Sequence, residues 1–163
     1  MAITLEELPA VLKAVRDKAA SSAPAAAMAM AEAYREHLTK VTLRRSFAAP
    51  GQFGTPAAPG QPPAWRTGAL ARSVRAAPGA SGGLTATATV APHTIYAVTQ
   101  EWGGVHVPVR ARYMHWVNSG GEWWLKRVSI PARPYMRPAL EETVADGSLT
   151  AAAAEAFMAW VWG

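Results

Sequence analysis

The stretch 78-PGASGGLTATATVAPHTIYAVTQEWGG-104 decides the fold. Before it, apolar residues recur every three or four positions. From Leu84 they alternate with threonine, and 84-LTATATVA-91 has the period of two and the β-branched content of a strand. The stretch 94-TIYAVTQEW-102 reads as a second strand, and Gly103-Gly104 as a turn or bulge. Strands set between helical segments predict an α+β domain.

Upstream, residues 1–48 read as helical. In 4–20, Thr4 and Glu7 have capping-box spacing, and Leu5, Leu8, Leu12 and Val15 recur at helical spacing. Pro9 lies in the first turns, where proline is tolerated best. The interruption 21-SSAP-24 predicts a second, Ala-rich helix over 22–47, with Pro24 near its first turn. Its apolar stripe is Met30, Ala33, Tyr34, His37, Leu38 and Val41, and Arg44-Arg45 suit its C-terminal dipole. Residues 49–66 form an extended Pro/Gly loop, with five prolines and three glycines in 49–64. A loop this long in a small domain is functional or mobile. Pro62-Pro63 stiffens it, which makes it a docking arm with Trp65 and Arg66 as anchors near its base. Thr67 is placed to cap a short helix within 67–76, with Leu70 and Val74 on one face and Arg72 and Arg75 on another.

Downstream, 84–130 reads as a small, mostly antiparallel sheet. The stretch 105-VHVPVRARYMHWV-117 is strand material interrupted at Pro108. Asn118-Ser119-Gly120-Gly121 turns a projecting hairpin, and 122-EWWLKRVSI-130 is the last strand. In 131-PARPYMRPALEE-142, Pro138 suits a helix start and Glu141 and Glu142 suit its first turn. The C-terminal helix spans 136–162, broken near Asp146-Gly147-Ser148, and the N- and C-terminal helices are expected to pack on the sheet.

Length and composition give one domain, 1–163, able to bury about two thirds of its unfolded surface. The absence of cysteine excludes disulfides and thiolate metal sites and fits a reducing compartment. The N-terminus lacks a basic start followed by an unbroken apolar run, so no signal peptide is expected. The apolar tail 149–163 is shorter than the roughly 20 residues of a bilayer span and contains Glu155, so no membrane association is expected. Charge is unevenly spread: residues 1–43 are neutral, 44–137 carry +9, and 138–163 carry four acids and no base. A basic middle and an acidic tail suit nucleic acid, or head-to-tail contacts between copies of one chain.

No catalytic motif accompanies these features. The four histidines show no HExxH spacing, and the glycine-rich spots lack a phosphate-loop lysine. Glu101 with His106 and His115 is the one grouping a hydrolase or metal site would use. No enzyme, cofactor or metal is expected. Arginines interleaved with Trp65, Trp116, Trp123 and Trp124 would also suit a stacking groove for nucleic acid, though no reading helix or ribonucleoprotein motif appears. Seven tryptophans with arginine and tyrosine suit a protein interface.

Three elements in order carry a resemblance. Thr67, Gly68, Leu70, Ser73 and Val74 follow the Pro/Gly loop; Tyr96, Ala97, Glu101 and Gly103 come next; then Pro131, Ala132, Arg133, Pro134, Tyr135, Pro138, Ala139 and Leu140. Together they resemble the head–tail joining (neck or tail-completion) proteins of long-tailed bacteriophages, over most of the chain. Gly104 stands where that family often has threonine, and Tyr135 where it commonly has phenylalanine.

The resemblance implies a non-enzymatic virion part of α+β fold. Such proteins form rings, commonly of six, that bridge the head connector and the tail tube or terminate the tube, with DNA passing through the lumen. Expected partners are other copies of the chain, the neighbouring connector or head-closure and tail-tube proteins, and DNA without sequence preference. The expected location is the virion head–tail interface, preceded by the host cytoplasm. The alternative is a basic phage nucleic-acid-binding protein. The interface candidates are Trp65, Arg66, Arg72, Arg75, Arg110, Arg112, Trp123, Trp124, Arg133, Tyr135, Arg137, Glu141 and Glu142.

Overall fold

A computed structural model of the chain describes residues 6–45, 56–118 and 120–162. Thr4, the end of the second expected helix at 46–48 and the first part of the docking arm at 49–55 lie outside the described residues, as does Ser119 in the expected turn. Among the described residues, helices and two-stranded antiparallel sheets combine in an α+β fold, as the change of period predicts. The chain divides into two compact units that interleave in sequence. One comprises 1–37, 74–91 and 141–163, the other 38–73 and 92–140.

In the first unit, the interruption expected at 21–24 is absent. Helix α1 runs unbroken over Leu8–Lys40, with Pro24 inside it. Proline removes one helical donor and crowds the carbonyl four residues back. The carbonyl concerned is that of Ala20, and alanines on both sides favour helix; the neighbouring Ser22 Oγ and Ser21 Oγ donate to other carbonyls, those of Ala19 and Lys18, both at 2.8 Å. Ala31, Tyr34 and Ser22 are buried here, and Leu38, on the same helix but in the second unit, is buried too. The expected apolar positions nearer the N-terminus are not core: Leu8, Leu12 and Val15 are exposed.

Strands β1 (Val74–Gly82) and β2 (Thr85–Pro92) form a hairpin that turns at Gly83-Leu84. Along β2 the threonines face solvent and the alternate Ala86, Ala88 and Val90 are half-buried, as period two requires. Thr87 Oγ1 donates to the Ala80 carbonyl at 3.0 Å. The same hydroxyl lies against Gly79 at the point a Cβ would occupy, which explains glycine there. Helix α4 (Met136–Ala145) ends in this unit, and α5 (Ser148–Trp162) follows. The expected break is present: Gly147 takes φ +74 and Asp146 Oδ1 accepts from the Ser148 amide at 2.8 Å. Trp160 Nε1 donates to Ser21 Oγ at 3.0 Å, tying α5 to α1.

The second unit corrects three sequence readings. The short helix expected over 67–76 is α2 (Ala69–Ser73), and the chain is already strand at Val74. Arg72 and Arg75 therefore do not share a helix face. Residues 94–102 are not a strand: they form a turn and then α3 (Ala97–Trp102). The β-branched and aromatic content misleads, because the inward positions are Ala97 and Glu101, one helical turn apart, while Ile95 is fully exposed. The single sheet expected over 84–130 is replaced by separate strand pairs. Strand β3 (Gly104–His106) pairs with β6 (Val128–Ile130), placing Gly104 opposite Ile130. Strand β4 (Met114–Asn118) pairs with β5 (Gly121–Leu125), Asn118 opposite Gly121, so the hairpin turn falls where the sequence places it.

Candidate assembly interface and the node behind it

The start of α4 has a problem that sequence alone exposes. Its N-cap position is Tyr135, which has no side-chain acceptor suited to capping, yet a helix start leaves about four amides without helical partners. Glu101 of α3 supplies what is missing. Its Oε2 accepts from the Tyr135 amide at 2.8 Å and the Met136 amide at 3.0 Å, and its Oε1 accepts from the Arg137 amide at 3.3 Å. The next residue, Pro138, has no N–H. The first internal helical bond then runs from Ala139 N to the Tyr135 carbonyl. All four positions are thus accounted for by one carboxylate and one proline. The carboxylate is buried, and the positive end of the α4 dipole complements its charge.

Several neighbouring contacts fix that geometry. Gly103 ends α3 with φ +69 and donates to the Thr99 carbonyl. A Cβ there would meet Ala132 N and Ile130 O, each at 2.7 Å, so only glycine lets the two segments approach. The Arg133 amide donates to the Gln100 carbonyl at 2.7 Å. Tyr135 is fully buried, and its hydroxyl faces the Ala97 carbonyl at 3.4 Å.

The described part of the Pro/Gly loop, expected from the sequence to be a docking arm, is fastened to the same node of its own chain. Arg133 Nε donates to the Ala57 carbonyl at 2.8 Å, and the Gly60 amide donates to the Ala132 carbonyl at 3.0 Å. The Trp65 indole lies across Gly68, whose φ of +71 and missing side chain make room for it. The Arg44 guanidinium sits 4.9 Å from the Trp65 ring centroid, within cation–π range. Between arm and node is a cavity of about 370 Å³, lined by Leu43, Trp65, Thr67, Tyr96, Gln100 and Arg133 among others. The N-cap position of α2 is Gly68, whose carbonyl accepts from the Arg72 amide, rather than Thr67 as expected; Thr67 lies one residue earlier and its Oγ1 accepts from the Ala69 amide at 3.3 Å.

These contacts sort the interface candidates. Arg133 and Tyr135 are buried inside the subunit, where they build the node, and so are corrected from surface to framework. Trp65 is half-buried over Gly68, a packing role within the unit. Arg66, Arg72, Arg75, Arg110, Arg112, Trp123, Trp124, Arg137 and Glu141 are exposed. Arg72 Nη1 donates to the Thr67 carbonyl at 2.7 Å, and the Arg112 guanidinium lies 5.6 Å from the Tyr113 ring centroid. Glu142 is half-buried and pairs with His37 Nε2 at 2.8 Å. Glu141 and Glu142 are not in the first turn of α4, which begins at Met136.

Four of the nine exposed candidates lie in or just before the β4–β5 hairpin. All five residues of β5 are exposed. His115 stacks on Trp124, centroids 4.1 Å apart at 21° between planes, and its Nε2 is 3.8 Å from Glu122. Arg110 and Arg112 precede the hairpin, and the exposed Lys126 and Arg127 follow it.

The grouping of Glu101 with His106 and His115 is not a site: Glu101 serves α4, His106 Nε2 faces Thr99 Oγ1 at 3.3 Å, and His115 stacks on Trp124. Among the described residues, no three His, Cys, Asp or Glu side chains come together to hold a metal, and no helix is long and apolar enough to cross a membrane. The capping role of Glu101 was missed at the level of sequence. Its signal was a helix start with an unsuitable N-cap residue and Pro138 at its third position. Compared with protein-family models, curated proteins and solved structures, the chain matches none.

Proposed function

We propose that this chain is a structural subunit of the neck of a long-tailed phage, forming a ring at the head–tail joint and having no catalytic role or cofactor. The observation that carries the proposal is convergence. The three elements of the resemblance are far apart in sequence, yet their marked residues, Val74 apart, fall in one unit. Glu101 and Gly103 of the second hold the Pro131–Leu140 segment of the third, and Thr67, Gly68 and Leu70 of the first share a cavity with Tyr96 and Arg133. A motif built this way specifies a rigid framework, and a framework carrying exposed tryptophans and arginines suits assembly. The subunit acts by positioning, and DNA passing the lumen meets exposed arginines without sequence readout.

The test is immunogold labelling of purified virions with an antibody to the chain, together with mass spectrometry of the particle. Label at the head–tail joint is the expected result; absence of the chain from the particle overturns the reading. The cations around Trp124 favour a second reading, a nucleic-acid-binding protein. A tight complex with duplex DNA whose affinity falls steeply with salt, formed by a chain absent from virions, establishes that one instead.

A further inference from the structure

We propose that the β4–β5 hairpin of one copy docks on the acidic and apolar patches carried by α4 and α5 of the next. This rests on the ring reading above and names the contact that builds the ring. A lone two-stranded ribbon is marginally stable in water. This one leaves Val117, Trp123, Trp124 and Leu125 exposed, and Val109 just before it is 94 % exposed. Alternation puts Trp123 and Leu125 on one face and Trp124 on the other, so the ribbon needs cover on both sides. Its flanks carry Arg110, Arg112, Lys126 and Arg127 against the single acid Glu122.

The complementary surface is on the same chain. Segment 138–163 holds four acids and no base. On α4, the exposed Glu141 and Val144 are three residues apart; on α5, so are Glu155 and Met158. Residues three apart share a helix face, so each helix presents an acid beside an apolar side chain. The hairpin presents the inverse, cations around tryptophan. Nucleic acid would satisfy those cations but leave Val109, Val117 and Leu125 in water, whereas an acidic and apolar protein surface covers both. Because the two patches differ, the contact is head-to-tail and closes into a ring when the rotation allows.

The experiment uses the full chain in low salt, sized by light scattering and negative-stain imaging. The variants are R110E/R112E, E141K/E155K and the two combined. The expected result is a wild-type ring, loss of the ring in each reversal, and its return in the combination. Circular dichroism of each variant separates loss of contact from loss of fold. Since the chain has no cysteine, a K126C/E155C chain gives an independent reading: oxidation yields a ladder of covalent oligomers if the contact forms. A wild-type ring that survives both reversals and gives no ladder overturns the docking contact and leaves the ring reading standing. A chain that stays monomeric at every concentration overturns both.

Discussion

Replacing Glu101 by alanine leaves three amides without an acceptor at the start of α4. Two of the bonds are short, 2.8 and 3.0 Å, and the third is 3.3 Å, in a site where Glu101 is only 8 % exposed. Water therefore has little access to replace them. Counting about 1 kcal/mol for each orphaned donor gives a loss of about 3 kcal/mol, above the usual range for a lost cap. In a chain of this size, 1 kcal/mol lowers Tm by about 2–4 °C, so E101A should melt about 6–12 °C lower. E101Q keeps one oxygen, enough for the two bonds now made by Oε2, and turns an amide nitrogen toward the Arg137 N–H. It should lose roughly half as much. Thermal circular dichroism reads the shift, and hydrogen exchange reads the cause: the amides of Tyr135, Met136 and Arg137 should lose protection first. A melting point for E101A within about 2 °C of wild type, with those amides still protected, would refute the capping argument.

Other substitutions test the same framework. G103A should cost at least about 2 kcal/mol, since it combines a positive φ with backbone atoms at 2.7 Å, and urea denaturation measures it. R133K keeps the charge but gives up the Nε–H that holds Ala57, so limited proteolysis should cut the arm sooner at unchanged oligomeric state. Asp146 is held below the ordinary aspartate range, first by the Ser148 amide, then by the Ser148 hydroxyl, and less by the nearby His37. A depressed folded-state pKa contributes stability above the unfolded value that disappears as pH falls through the folded one. D146N should therefore flatten the acid side of the stability profile and leave the slope of its alkaline side unchanged; an unaltered acid limb counts against this linkage.

Legibility in the sequence followed whether local and distant forces agreed. The β2 strand was readable because threonine propensity and alternate burial coincide over 85–92. The break at Gly147 was readable because Asp, Gly and Ser each favour it for local reasons. Residues 94–102 failed because Ile95, Tyr96 and Val98 favour a strand, while the inward positions Ala97 and Glu101 are set by a segment more than thirty residues away. Pro24 failed in the opposite sense: a residue that usually ends helices sits inside one whose alanine content outweighs it. Arg133 and Tyr135 were readable as special but not as buried, because a motif marks constraint without saying which side of the surface it acts on.

The interleaving of the two units also bears on how the chain is made. The unit that holds residues 1–37 also needs 74–91 and 141–163, so neither unit is a contiguous stretch. During synthesis helix α1 emerges before the later segments of its unit, with Ala31 and Tyr34, buried in the folded chain, still uncovered. The hydroxyl of Ser21 must then wait for Trp160, 139 residues further on, and the imidazole of His37 for Glu142, 105 residues further on. The first unit is therefore completed only after both segments of the second have been made, in contrast to the N-terminus-first order of tandem domains. A product stalled before residue 141 leaves Ser21 without Trp160 and His37 without Glu142.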